Sequence, residues 1–122
     1  SRSVETYAGA ARWLEANTPD GARVFSTDWD DFPLLFFQDV HNTYLIGLDP
    51  TYMYQYDPSL YLTWRSLTRG QIAMPSVVLR DRFATRYVVT DHDHPSFYET
   101  ATADPSMHIV YRDASLTIFQ VD

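Results

Sequence analysis

Among the 122 residues there is no cysteine and no lysine. Without cysteine, disulfides, thiolate nucleophiles and thiolate zinc sites are excluded. The same absence leaves the compartment open, since many exported proteins also lack cysteine. Without lysine, all nine cations are arginine, set against sixteen aspartates and glutamates, for a net charge of −7. That balance excludes the broad basic face that non-specific nucleic-acid binding requires, so no nucleic acid is expected as a partner. It also excludes docking on anionic lipid through a polybasic patch. Glycine is scarce, four residues in all. There is no G-x-G-x-x-G after a strand and no G-x-S-x-G elbow, so dinucleotide binding and the α/β-hydrolase type of serine catalysis have no motif to stand on. No apolar run approaches the roughly 18 residues that would span a bilayer. No secretory leader is visible. The first residues already read as a helix start, and the expectation is that a longer N-terminal part precedes them.

What is present is the composition of a folded chain, 45% hydrophobic and 16% aromatic. The length predicts one domain over residues 1–122. Ser3 and Glu5 suit a helix N-terminus, and Val4, Tyr7, Ala8, Ala11 and Leu14 then recur at helical spacing. Asn17-Thr18-Pro19-Asp20-Gly21 ends that helix. "ARVFST" (22–27), "NTYLIGL" (42–48) and "RYVVT" (86–90) read as buried strands. Asp57-Pro58 and Pro75 open helices. In the first, Leu60, Tyr61, Trp64 and Leu67 share a face, and Gly70 ends it. In the second, Val77, Val78 and Phe83 are the expected core contacts. Asp104-Pro105 breaks a short helix after "DHDH". "MHIVYRD" and "SLTIFQVD" form an antiparallel hairpin. Strands alternating with helices predict right-handed parallel crossovers. The expected fold is therefore α/β: a three-layer sandwich around a mostly parallel sheet of about five strands, with a C-terminal antiparallel hairpin.

In such a sheet the parallel strands end on one edge, and ligands bind there. Asp28, Trp29, Asp30 and Asp31 follow the first strand, Asp49 the second, and Asp91, His92, Asp93 and His94 the third. Two accounts fit these residues. In one, a divalent cation is the cofactor, held by Asp28, Asp91, His92, Asp93 and His94. Carboxylate oxygens suit Mg²⁺, Ca²⁺ or Mn²⁺, and imidazole adds Zn²⁺. An extended "DHDH" would place the two histidines on one side and the two aspartates on the other. In the simpler account no cofactor is needed. The acids start helices, Asp28 or Asp30 for the "DFPLLFF" segment, Asp49 for the next, and Asp93 or Ser96 for the one after "DHDH". Beside the rim, Tyr52, Tyr54, Tyr56, Tyr61 and Trp64 cluster within a short span. Aromatic faces with nearby carboxylates suit sugar rings, which stack through C–H faces and hydrogen-bond through hydroxyls. Tyr61 and Trp64, at helical spacing, fit the core equally well. The candidate ligand-binding set is thus Asp28, Trp29, Asp49, Tyr52, Tyr54 and Asp91. His41 reads as a turn residue and His108 as a surface residue of the hairpin.

"ARWLEANTPDGARVFSTDWDDFP", "HNTYLIGLDPTYMY" and "RYVVTDHDH" together resemble the soluble C-terminal domain of bacterial polytopic membrane proteins of the GT-C glycosyltransferase class. The resemblance covers most of the chain. It implies an extracytoplasmic, periplasmic domain tethered through its N-terminus, whose main partner is the transmembrane part of its own chain. In that class the catalytic acid and the lipid-linked donor belong to the membrane part. The resemblance therefore implies a domain without catalytic residues of its own, assisting with glycan or acceptor or packing on the membrane part.

Overall fold

The computed structural model describes residues 4–19, 22–27, 44–45, 55 and 57–122. Strand residues alternate between two apolar faces, as a sheet covered on both sides requires. The strands are β1 (Arg23–Ser26), β2 (Tyr44–Leu45), β3 (Tyr87–Asp91), β4 (Met107–Arg112) and β5 (Leu116–Val121). Their order across the sheet is β2-β1-β3-β5-β4. The helices among the described residues are α1 (Val4–Asn17), α2 (Pro58–Thr68), α3 (Pro75–Phe83) and α4 (Pro95–Ala103).

On one face Val24, Val89, Leu116 and Ile118 pack against the Tyr7, Ala10, Ala11 and Leu14 stripe of α1. On the other, Phe25, Val88, Phe119 and Val121 meet Leu67 of α2, Leu79 and Phe83 of α3, and Phe97 and Ala101 of α4. Among the described residues, one helix on one side and three on the other make the three layers. Each buried Leu, Val or Phe removed from water contributes roughly 1.5–3 kcal/mol, and both faces of the sheet carry several. Edge-to-face ring pairs tighten the second face, Phe25 with Phe83 at 5.0 Å and Phe97 with Phe119 at 6.3 Å between centroids.

The sheet corrects the expected topology. Four strands have four to six residues, and β2 adds only a two-residue ladder at the β1 edge. β1 pairs in parallel with β2 and β3, whereas β3 pairs antiparallel with β5 and β5 with β4. The sheet is therefore mixed, not mostly parallel, with four full strands and the short β2 at its edge. The cause is that the C-terminal hairpin docks through β5 directly on β3, which places an antiparallel neighbour on a central strand. A bulge between Ile109 and Tyr111 shifts the β4 register. The extra residue turns both Val110 and Tyr111 towards the α1 face.

Proline sets the helix starts. It occupies the first turn of α2, α3 and α4, where its preset φ fits and its missing N–H costs nothing. Asp57 caps α2, its Oδ1 accepting from the Leu60 N–H at 3.1 Å. α3 and α4 have Met74 and His94 at the cap position and no side-chain cap bond. Capping by Asp93 or Ser96 is thus corrected, because Pro95 at the helix start fixes His94 as the cap. α2 ends at Arg69 and Gly70. Gly70 has φ +69°, and a Cβ there would meet the Ser96 carbonyl oxygen at 2.5 Å, so glycine is required both for conformation and for the approach of α4. In α3 the core contacts are Leu79 and Phe83, with Val78 half-buried, whereas Val77 is 42% exposed. None of the helices of the described residues is long and apolar enough to cross a membrane.

Candidate functional site

The carboxyl ends of β1 and β3 lie side by side, with Ser26 opposite Val89. Just beyond, the hydroxyls of Thr27 and Thr90 meet at 3.0 Å in a buried contact. The indole N–H of Trp64 donates to the Ser26 carbonyl at 3.4 Å, which ties α2 to the end of β1. Tyr61 tilts against Trp64 with centroids 5.9 Å apart. Both aromatics of α2 therefore serve the packing of this edge.

Asp91 ends β3 and is only 4% exposed. A buried carboxylate must be satisfied by donors. Its Oδ1 accepts from the Asp93 N–H at 2.9 Å and from Nδ1–H of His94 at 2.7 Å. These two bonds fold "DHDH" into a turn that delivers the chain to α4. The extended alternation of histidines and aspartates is thereby corrected: Asp91 and His94 face each other, and His92 and Asp93 form the turn between them.

Because β5 runs antiparallel to β3, its start comes back to this same edge. Thr90 pairs with Thr117 and Asp91 with Leu116, and Arg112 of β4 pairs with Thr117. A cavity of about 400 Å³ opens between this hairpin end and the start of α4. Asp91, His92, Pro95 and Tyr98 line one side, and Arg112, Asp113 and Thr117 the other. The Arg112 guanidinium sits 5.3 Å from the centroid of the Tyr98 ring, a cation–π pair that joins the two sides. Tyr98 is itself held edge-on against Phe119 at 5.7 Å.

Asp113 organises the hairpin end. Its Oδ1 accepts from the N–H groups of Ser115 and Leu116, both at 2.8 Å, and its Oδ2 from the Tyr111 hydroxyl at 2.6 Å. Burial alone would raise its pKa. The hydrogen bonds from Tyr111, Ser115 and Leu116, with the charge of His92, outweigh burial and hold it below the usual carboxylate value. Tyr111 moves the other way. Burial first, then the bond to Asp113 and its negative charge, push the phenol up to about 12. The cavity thus presents an ionised carboxylate, an imidazole, a guanidinium, a hydroxyl and an aromatic ring. Such a set can hold a polyhydroxylated ligand by stacking and by hydrogen bonds in both directions.

Of the residues expected from sequence, Asp91 and His92 line this cavity, while His94 and Asp93 act in the turn behind it. Asp28, Trp29, Asp30, Asp31, His41, Asp49, Tyr52, Tyr54 and Tyr56 lie outside the described residues. Among the described residues, no three histidines, aspartates or glutamates are grouped as metal ligands would be. His108 is exposed on β4, as expected, with Nε2 3.0 Å from the Asp122 carboxylate. Sequence reading missed Tyr98, Arg112, Asp113 and Thr117. The signal for the last three was the hairpin itself, whose turn had to lie at one edge or the other of the sheet.

The architecture is that of an α/β/α sandwich with a hairpin-extended mixed sheet. The chain is similar in structure to the C-terminal globular domain of oligosaccharyltransferase from Archaeoglobus fulgidus, with a TM-score of 0.59 over the full length of both chains and 12% identity. At that identity the likeness is one of fold. No protein-family model matches the sequence, and no curated protein matches it.

Proposed function

We propose that the chain is an extracytoplasmic, non-catalytic domain of a membrane glycosyltransferase-like protein, and that it helps hold a glycan or acceptor beside the membrane part of its own chain. The observation that carries this reading is the rim cavity, with Tyr98 as a stacking surface and Asp113, Thr117, His92 and Arg112 as polar partners. Its support is the likeness in fold to a domain of an oligosaccharyltransferase, together with the sequence segments that resemble GT-C extracytoplasmic domains. Fold alone does not fix function, so the site must carry the weight. A cavity of about 400 Å³ lies in the size range of small-molecule sites.

The reading predicts that the isolated chain transfers no sugar and hydrolyses no glycan. Incubation with sugar donors, acceptors and glycosidic substrates tests this, and sustained turnover that depends on rim residues would overturn it. The cation alternative needs Asp28 to join Asp91, His92, Asp93 and His94. Calorimetry with Ca²⁺, Mg²⁺, Mn²⁺ and Zn²⁺ separates the two readings. Binding heat that disappears in both Asp28→Ala and His92→Ala would favour the cation.

A further inference from the structure

The opposite edge of the sheet carries a second cavity, of about 370 Å³, at the amino ends of β1 and β3. Pro19, Ala22, Ala84 and Tyr87 form its apolar and aromatic wall, and Arg23 and Arg86 complete it. Val24 pairs with Tyr87, so the two arginines occupy the preceding position on each of two adjacent parallel strands. Among the described residues, neither guanidinium has an ion-pair or hydrogen-bonding side-chain partner. Two of the nine cations of the chain therefore line one cavity.

Their backbone is fixed. The Arg23 carbonyl accepts from the Thr85 hydroxyl at 2.9 Å, and the Arg86 carbonyl from the Val121 N–H at 2.7 Å. Tyr87 is anchored against Trp13, centroids 6.3 Å apart. The sheet therefore fixes both positions beside the cavity. Two arginines without protein partners among the described residues, beside an apolar and aromatic wall, suit an anion that carries an organic group.

We propose that this cavity binds the phosphate group of a phosphate ester. A monoester carries close to two negative charges near neutral pH and three acceptor oxygens, which matches two guanidinium forks. A carboxylate supplies only one charge. The organic part of the ester would lie on Pro19, Ala84 and the Tyr87 ring. This inference is independent of the reading of the rim cavity.

The test is a titration of the 122-residue chain with inorganic phosphate and with a hexose phosphate, followed by amide NMR and thermal unfolding, against chloride at matched ionic strength. Saturable shifts are expected at Arg23, Ala84, Thr85 and Arg86, with a rise in unfolding midpoint beyond that in chloride. Arg23→Gln and Arg86→Gln should each weaken binding by roughly tenfold or more, by loss of a charge-assisted contact. In phosphate-free buffer each variant should unfold cooperatively close to the parent's midpoint, as exposed substitutions do. That transition also shows that the variants fold. Vesicles containing phosphatidic acid form the other arm: binding to vesicles without binding of soluble esters assigns the phosphate to a lipid headgroup, and the reverse assigns it to a soluble ester. The proposal is overturned if neither arm binds, or if both variants bind phosphate as tightly as the parent.

Discussion

At the end of the β4–β5 hairpin, Asp113 accepts bonds from Tyr111, Ser115 and Leu116, and the two ionisable partners of this cluster shift in opposite directions. Tyr111 has its folded pKa raised to about 12, above the value near 10 of an unfolded tyrosine. Its contribution to stability is therefore complete below pH 10 and is lost as pH rises through about 12. Asp113 is lowered, so its contribution is complete above about pH 4 and is lost as pH falls through its folded value. Tyr111→Phe should cost about 1.5 kcal/mol near neutral pH, the scale of a hydrogen bond to a charged group. It should also flatten the loss of stability between about pH 10 and pH 12. Urea denaturation across that range checks both statements, and a parent-like slope in the variant would contradict the second. At this scale the sequence was partly legible. Asp57 before Pro58 announced its capping role, because cap chemistry is local. Asp91 did not announce that it would bind His94, since a strand continued by two residues would have sent that imidazole elsewhere.

Among the elements, the docking of α1 on β4 depends on a glycine in a helix, where alanine would ordinarily be better by about 1 kcal/mol. A Cβ on Gly9 would collide with the Tyr111 hydroxyl and stand 3.0 Å from Asp113 Oδ2. Gly9→Ala should therefore destabilise the chain, by roughly 1–3 kcal/mol as overpacking does. On a Tyr111→Phe background the cost should shrink by about 1 kcal/mol or more, because the obstructing oxygen is gone. A double-mutant cycle by chemical denaturation measures this coupling, and a Gly9→Ala variant that is more stable in both backgrounds would contradict it. The elements themselves were legible from the sequence: Tyr7, Ala11 and Leu14 at helical spacing for α1, "YVV" for β3, and proline for the starts of α2 and α3. Their neighbours were not. Nothing local to "SLTIFQV" states that β5 lies beside β3 instead of at an outer edge, so the mixed sheet and the return of Arg112, Asp113 and Thr117 to the rim stayed hidden. Val77 misled for a similar reason. An apolar residue beside Leu79 is placed in the core only by the rotation that the helix adopts on packing.

Across the whole molecule, the two edges of the sheet have different chemical character. The carboxyl edge gathers Asp91, Asp93 and Asp113 with His92 and the Tyr98–Arg112 pair. The amino edge holds Arg23 and Arg86. With a net charge of −7, the chain presents a neutral polyhydroxylated ligand with acceptors at one end while the surface as a whole repels polyanions. That polarity bears on the proposal that the rim cavity holds a glycan or acceptor. The most direct measurement is an amide NMR titration of the chain with a panel of oligosaccharides, repeated on Tyr98→Ala. The account predicts saturable shifts at His92, Tyr98, Arg112, Asp113 and Thr117 for at least one glycan, weakened roughly tenfold or more when the stacking ring is removed. A panel that leaves these five amides unmoved, or shifts that persist at full affinity in Tyr98→Ala, would contradict it.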